Sequence, residues 1–277
     1  AKALDQGMTI PEIHARSGID PYFVGEIAEL RGLARRLGEG PPGAPPDARL
    51  LREAKRAGFS DAQIASATSS TEQAIRDERV RLGIRPILAG IDTLAAEYPA
   101  QTAYLYFTYR GDVPEVPRDH GAGAILVLGS GCYRIGSSVE FDWSCVGALR
   151  ACRELGHRTI LLNSNPETVS TDYDVGDLLV FDELSVETVL EVVHALGPAG
   201  VVVSMGGQTA NNLVPGLARA GVPILGTPPA AIDKAENRST FSALCDELRV
   251  AQPRWVAHGT SGDLDDAVRD VGGYPVL

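Results

Sequence analysis

The sequence predicts an α+β chain of two domains: an all-helical N-terminal domain, then an open, largely parallel α/β domain. Three observations predict it. Between positions 9 and 83, apolar residues recur at spacings of three and four, with capping residues and turns between the runs. From Gly123 onward, continuous apolar runs end in glycine- or asparagine-rich turns and alternate with helical periodicity, as buried parallel strands do. The length of 277 residues, 44% hydrophobic and 22% charged, suffices for two cores of ordinary soluble composition.

In the helical part, Thr9 reads as an N-cap, with Pro11 in the first turn and Glu12 at the capping-box position. That helix carries Ile10, Ile13 and Ala15 and ends at Ser17-Gly18. Asp20-Pro21 opens a longer helix in which Phe23, Val24, Ile27, Leu30, Leu33, Ala34 and Leu37 draw one apolar stripe. Gly38 to Pro46, with Pro-Pro twice, is a surface connector. A third helix runs from Asp47 to Ala57, Ser60 caps a short fourth, and Thr71 caps a fifth that ends at Gly83. No convincing strand is read in the first ninety residues. The division that follows is 1–84 helical, 85–122 a bridge with one candidate strand over Ala103-Tyr104-Leu105-Tyr106-Phe107, and 123–240 α/β.

In the α/β part, Ala124-Ile125-Leu126-Val127-Leu128 is a buried strand feeding Gly129-Ser130-Gly131, and a helix from about Ser138 to Leu155 follows. Thr159–Asn163, Leu178–Phe181, Gly200–Ser204 and a short Val222–Gly226 are the further strands. Helices at Val186–Leu196 and Gln208–Ala220 separate the later ones.

Charge is uneven. The net charge is −11, made of 13 basic and 12 acidic residues over 1–90 and 12 basic and 24 acidic over 91–277. An acidic second part discourages a nucleic-acid role. Ser60–Ala65 followed by Ser69–Arg76 permits a helix-turn-helix reading, with Arg76, Arg79 and Arg81 facing phosphates, but Glu72, Asp77 and Glu78 interrupt the basic face. The sequence has no membrane-length apolar run and no signal-peptide h-region at Ala1–Gln6, so a cytoplasmic place is expected, with neither nucleic acid nor membrane as partner. Cys132, Cys145, Cys152 and Cys245 form no CxxC pair, which predicts buried free thiols without a zinc site or disulfide. His14, His120, His157, His194 and His258 lie in different elements, outside any nucleophile motif, and are expected at the surface.

The loop Gly129-Ser130-Gly131-Cys132-Tyr133-Arg134-Ile135-Gly136 sits between a strand end and a helix, where N–H groups favour anions. It departs from the dinucleotide fingerprint, because Arg134 stands where a glycine is needed, and no Gly-Lys-Ser/Thr of a P-loop exists. Three more polar clusters fall at strand ends: Asn163-Ser164-Asn165-Pro166-Glu167-Thr168, Met205-Gly206-Gly207-Gln208-Thr209 and Gly226-Thr227-Pro228. In a parallel sheet the carboxyl ends share one edge, so Gly129, Gly131, Asn165, Glu167, Thr168, Gly206, Gly207, Gln208 and Thr209 converge there. The plain alternative is that Gly-Gly and Asn-Pro only make turns. Glu140 is singled out as a carboxylate in the first helical turn beside Arg134, with Asp142 a weaker candidate and a simple helix-end acid as the competing reading.

The runs Gly129 to Trp143, Asn165-Pro166-Glu167-Thr168-Val169-Ser170-Thr171-Asp172-Tyr173-Asp174 and Gly206-Gly207-Gln208-Thr209 closely resemble the large chain of carbamoyl phosphate synthetases. Ile91–Tyr98 and Thr102–Tyr106 resemble it too, and the helical region resembles the family's oligomerisation domain. The resemblance covers essentially the whole chain. It implies the joint between two synthetase halves plus the Rossmann-like pre-ATP-grasp subdomain of the second, carbamoyl-phosphate-forming half. Residues 241–277 are then the start of a truncated ATP-grasp domain, with Gly273-Tyr274-Pro275-Val276-Leu277 resembling the opening of its signature. Ala89-Gly90 stands where the family often has basic residues, and the Pro-rich 41–46 linker is atypical.

By the same resemblance, Arg134, Gly136 and Glu140 line a carbamate passage whose polar walls would limit hydrolysis of a labile anion. No catalytic residue or metal ligand is assigned. ATP and Mg²⁺ are expected in the intact enzyme, held mainly by the ATP-grasp part, and the segment alone is expected to bind neither and to be inactive. The implied partners are the remainder of the large chain, a small glutaminase subunit or domain, and further copies in an oligomer. The competing classes are a non-catalytic ligand-binding or assembly module and a helical DNA-binding domain fused to a sensor.

Overall fold

Residues 1–95, 97–98, 104–111, 116, 120–133, 139–256 and 264–275 are described by a computed structural model. They belong to two compact units, Ala1–Arg118 and Asp119–Leu277.

In the first unit, capping chemistry sets the helix starts. Thr9 Oγ1 accepts the Glu12 N–H at 3.4 Å while the Glu12 carboxylate accepts the Thr9 N–H at 2.8 Å. Ser60 and Gln63 repeat the reciprocal pair at 3.1 and 2.9 Å. The helices are α1 (Lys2–Asp5), α2 (Ile10–Ser17), α3 (Pro21–Gly38), α4 (Ala48–Arg56), α5 (Asp61–Thr68) and α6 (Glu72–Arg81). Their core is Leu33, Leu37, Leu51, Ala54, Ile64, Ala65, Ile75 and Ile84. The apolar stripe of α3 divides: Val24, Leu33 and Leu37 are buried, whereas Phe23, Ile27 and Leu30 are 61%, 40% and 40% exposed.

A charged cluster lies inside this unit. The buried Arg79 donates through Nε and Nη2 to the Asp61 carboxylate at 2.9 to 3.1 Å and through Nη1 to the Ile84 carbonyl at 3.0 Å. Lys55 Nζ is 3.1 Å from Asp61 Oδ1, and both cations face the Tyr109 ring, at 5.2 and 5.8 Å from its centroid. This overturns the helix-turn-helix alternative at its central residue, for Arg79 is an interior ion-pair partner and Arg81 pairs with Glu78.

Strand β1 (Ile87–Gly90) pairs antiparallel with β2 (Tyr104–Thr108), with Leu88 opposite Phe107. The first ninety residues thus do hold a strand, contrary to the sequence expectation. Four residues carry no readable period, and β1 exists through pairing with a partner distant in sequence. The candidate strand at 103–107 is β2, except for Ala103, which lies outside the described residues.

The second unit runs β3 (Ile125–Leu128), α7 (Val139–Glu154), β4 (Thr159–Asn163), β5 (Leu178–Phe181), α8 (Val186–Leu196), β6 (Gly200–Val202), α9 (Gln208–Asn211), α10 (Val214–Arg219), β7 (Ile224–Leu225), α11 (Pro229–Glu236), α12 (Arg238–Glu247) and α13 (Leu264–Val271). The five strands are parallel in the order β5-β4-β3-β6-β7. All of β3 and β4 is buried, as their continuous apolar runs require.

Three local differences from the sequence reading have local causes. The run at 200–204 ends as a strand at Val202 and turns as a 3-10 helix over Ser204–Gly206. The helix expected over 208–220 is two, because Pro215 has no N–H for the Asn211 carbonyl and its ring crowds that group. Helices α11 to α13 were not assigned from sequence. Cys145 alone is buried, Cys152 and Cys245 are partly so, and Cys132 is exposed, correcting the expectation of four interior thiols.

Candidate functional site

The strand order places a topological switch at β3. Successive strands pass from it to β4 and β5 on one side and to β6 and β7 on the other. Ligand crevices of open α/β sheets open at such a point, beyond the carboxyl ends of the strands. Here the loop after β3 and the turn after β6 close on each other. A Cβ on Gly206 would stand 2.3 Å from the Gly129 carbonyl oxygen and 2.7 Å from that of Leu128. One on Gly129 would stand 2.5 Å from Asn163 Cγ, and one on Gly207, at φ +67°, 2.9 Å from the Phe141 ring. These glycines permit the backbones of the two turns to pack closely against each other.

Asn163, at the end of β4, ties the edge together. Its Oδ1 accepts the N–H of Gly131 at 3.0 Å and of Ser164 at 2.9 Å, which fixes the left-handed turn at Gly131. Its Nδ2 and the Ser130 hydroxyl are buried with no hydrogen-bond partner among the described residues. The segment after β4 is likewise organised from within. Asn165 Oδ1 accepts the Glu167 N–H at 3.0 Å, and the buried Thr168 hydroxyl meets those of Ser170 and Thr171 at 3.2 and 2.9 Å. Glu167 itself is exposed. After β6, Gln208 Nε2 and Asn211 Nδ2 donate to Glu236 of α11 at 3.3 and 3.1 Å, and Thr209 is half-buried.

Helix α7 supplies the opposite wall. Glu140 is exposed in its first turn, while Asp142, two residues on, is buried and accepts the N–H groups of Val169 and Ser170. The first turns of α7 and the 166–172 segment enclose an open hollow of about 610 Å³, lined by Tyr133, Val139, Asp142, Trp143, Pro166, Glu167, Thr168, Val169 and Asp172. Burial, then the Asp142 charge, pushes the Tyr133 phenol above its ordinary value. The same two causes, in the same order, push the Cys145 thiol up to about 12.

The structure therefore brings Gly129, Gly131, Gly206 and Gly207 into one packed edge and sets Glu167 beside the first turns of α7. Arg134 and Gly136 lie outside the described residues. Asn165, Thr168 and Gln208 spend their polar groups on their own loops or on α11. Sequence reasoning ranked Asp142 below Glu140 and named Asn163 only as the start of a polar strand-end cluster. The available signal was a second acid two residues after Glu140, and an asparagine ending a wholly apolar strand.

Among the described residues no helix is long and apolar enough to cross a membrane. Two family models match: the carbamoyl-phosphate synthetase large chain oligomerisation domain over residues 1–83, and the carbamoyl phosphate synthase preATP-grasp domain over residues 121–234. A carbamoyl phosphate synthase large chain from Hyperthermus butylicus is 43% identical over all of this chain and 26% of its own length. The mitochondrial carbamoyl-phosphate synthase [ammonia] of Rattus norvegicus is 45% identical over all of this chain and 18% of its own, and the multifunctional protein pyrABCN of Emericella nidulans 47% over all of this chain and 12% of its own. Among solved structures, N5-carboxyaminoimidazole ribonucleotide synthetase from Thermus thermophilus aligns at TM-score 0.38 and 22% identity, over 53% of this chain and 36% of that one. The chain spans about a quarter or less of the length of these curated relatives. With one domain model on its helices, another on its parallel sheet and relatives aligned from end to end, the chain belongs to the carbamoyl phosphate synthase large-chain family, whose oligomerisation and preATP-grasp domains it carries.

Proposed function

We propose that this chain acts within an intact synthetase large chain as the joint between the halves and the opening of the second, carbamoyl-phosphate-forming half. The reaction it contributes to is ATP-dependent synthesis of carbamoyl phosphate from bicarbonate and ammonia or glutamine, for arginine and pyrimidine biosynthesis. In this reading residues 1–84 are the oligomerisation domain, 85–122 a bridge, 123–240 the pre-ATP-grasp domain and 241–277 the start of an ATP-grasp domain. ATP and Mg²⁺ belong to the ATP-grasp part, and the partners are the rest of the large chain, a glutaminase subunit or domain and further copies. The cytoplasm is the proposed compartment, although one relative is named for the mitochondrion.

Residues of this chain serve passage and not phosphoryl transfer. The observation that carries this reading is the hollow between α7 and the 166–172 segment, with Glu167 on its wall and Glu140 in the adjoining helical turn. Arg134 and Gly136 are assigned to the same passage by family resemblance. A carboxylate at a helix start also gains from the helix dipole, by about 0.3–1 kcal/mol, so the two roles need separating. In a full-length synthetase, Glu140→Gln is expected to lower carbamoyl phosphate formed per ATP hydrolysed and leave the melting temperature unchanged. A lower melting temperature with normal yield per folded molecule would make Glu140 a helix-end acid only.

The exposed Phe23, Ile27 and Leu30 on α3 favour a second element of the reading, an assembly role for the helical domain. That role is compatible with the first and would remain if the passage role failed.

A further inference from the structure

Asp142 stands in the second half of the first α7 turns with 5% of its surface exposed. Its carboxylate accepts the Val169 N–H at 3.0 Å through Oδ2 and the Ser170 N–H at 3.3 Å through both oxygens. Those two amides open the 3-10 turn Val169–Thr171, where the first N–H groups have no partner within the turn. An N-cap side chain would ordinarily satisfy them. Thr168 holds the cap position, but its hydroxyl is directed to Ser170 and Thr171, so a carboxylate from a different element takes over the role. Charge-assisted bonds to backbone N–H groups are the stronger kind, and burial protects these from competing water.

The placement has a functional corollary. Asp142 is two residues from Glu140, and Val169 is two residues from Glu167. Through Asp142, α7 accepts the first two N–H groups of this turn. We infer that Asp142 is a positioning residue of the carbamate passage: it clamps the 165–172 segment to α7 and so fixes the geometry of Glu167 relative to Glu140. This rests on the passage reading above.

The test uses full-length synthetase carrying Asp142→Ala or Asp142→Asn. Asparagine keeps the side-chain shape and one oxygen able to accept an N–H, so it should rescue in part. Expected for Asp142→Ala are about tenfold faster amide exchange at Val169 and Ser170, unchanged exchange in β4, and carbamoyl phosphate per ATP lowered by about tenfold, the scale on which small misplacements are felt. Asp142→Asn should fall between that variant and the wild type in both readouts. Should the alanine variant fail to fold, the asparagine variant carries both measurements. Unchanged exchange at Val169 and Ser170 would overturn the clamp, and faster exchange with wild-type yield would overturn its role in passage. If Glu140→Gln and Glu167→Gln themselves left the yield at the wild-type value, the passage reading would fall and the positioning role with it. A lowered yield in those two variants beside a wild-type yield in Asp142→Ala would overturn the positioning role alone.

Discussion

A methyl group on Gly206 would meet the backbone oxygens of Gly129 and Leu128 and the Ala210 methyl, at 2.3, 2.7 and 2.8 Å. Backbone cannot step aside as a flexible side chain can, so Gly206→Ala is expected to destabilise by about 1–3 kcal/mol. Gly147, mid-helix in α7, meets nothing within 4 Å, and Gly147→Ala should stabilise by about 0.5–1 kcal/mol. Urea denaturation of both variants checks the contrast. Cys145 carries the second residue-scale prediction. Its thiol donates to the Leu128 carbonyl at 3.5 Å, and its ionisation rises from the usual 9.0 to about 12. The unfolded chain therefore loses this proton near pH 9 and the folded chain only near 12. Stability from this group is complete below pH 9 and is lost as the pH climbs towards 12. Denaturation curves at neutral and alkaline pH should show a smaller alkaline loss for Cys145→Ala, and iodoacetamide at neutral pH should label the exposed Cys132 and spare Cys145.

At the scale of elements, caps and breakers were legible because they act over three or four residues. Thr9, Ser60 and Thr71 cap their helices as the sequence predicts, and Asp20 and Asp47, read only as helix starts, are the N-caps of α3 and α4. Periodicity was less informative on α3, where one stripe serves two purposes. Val24, Leu33 and Leu37 pack inward, but Phe23, Ile27 and Leu30 face solvent together with Tyr22, which sits edge-on to Phe23 at 5.4 Å. Under the assembly role proposed above, this apolar face is the association surface. Phe23→Asp combined with Ile27→Glu is expected to leave the free energy of unfolding within about 1 kcal/mol of wild type, since exposed positions contribute little to the core. The same variant should reduce self-association in light scattering at high concentration. A wild-type chain that stays monomeric there would count against the surface.

At the scale of the whole molecule, the first unit rests on a charged interior as well as an apolar one. Lys55, Asp61 and Arg79 are each at most 4% exposed, and Asp61 is the carboxylate both cations share. Removing it takes from two buried cations the carboxylate they share, and breaking such a pair typically costs about 3–5 kcal/mol. Asp61→Ala should therefore unfold helices α2 to α6 at markedly lower denaturant, as followed by circular dichroism. A change below about 1 kcal/mol would show that water or other groups take over its role.

The sequence by itself determined the helix and strand inventory where the signal is local: capping boxes, the buried runs of β3, β4 and β5, and the limits of α8. Its long ordered motifs also identified the family. Only the tertiary structure decided that the glycines of the sheet edge are packing positions, that Asp142 is spent on Val169 and Ser170, and that Arg79 is an interior residue. It also created β1, whose four residues need β2 to be a strand. The reason is common to all of these. Cap, turn and periodic burial are set by neighbours a few residues away, whereas the strand order, the approach of Gly206 to Gly129 and the fate of a buried charge depend on residues tens of positions apart, whose meeting no local pattern encodes.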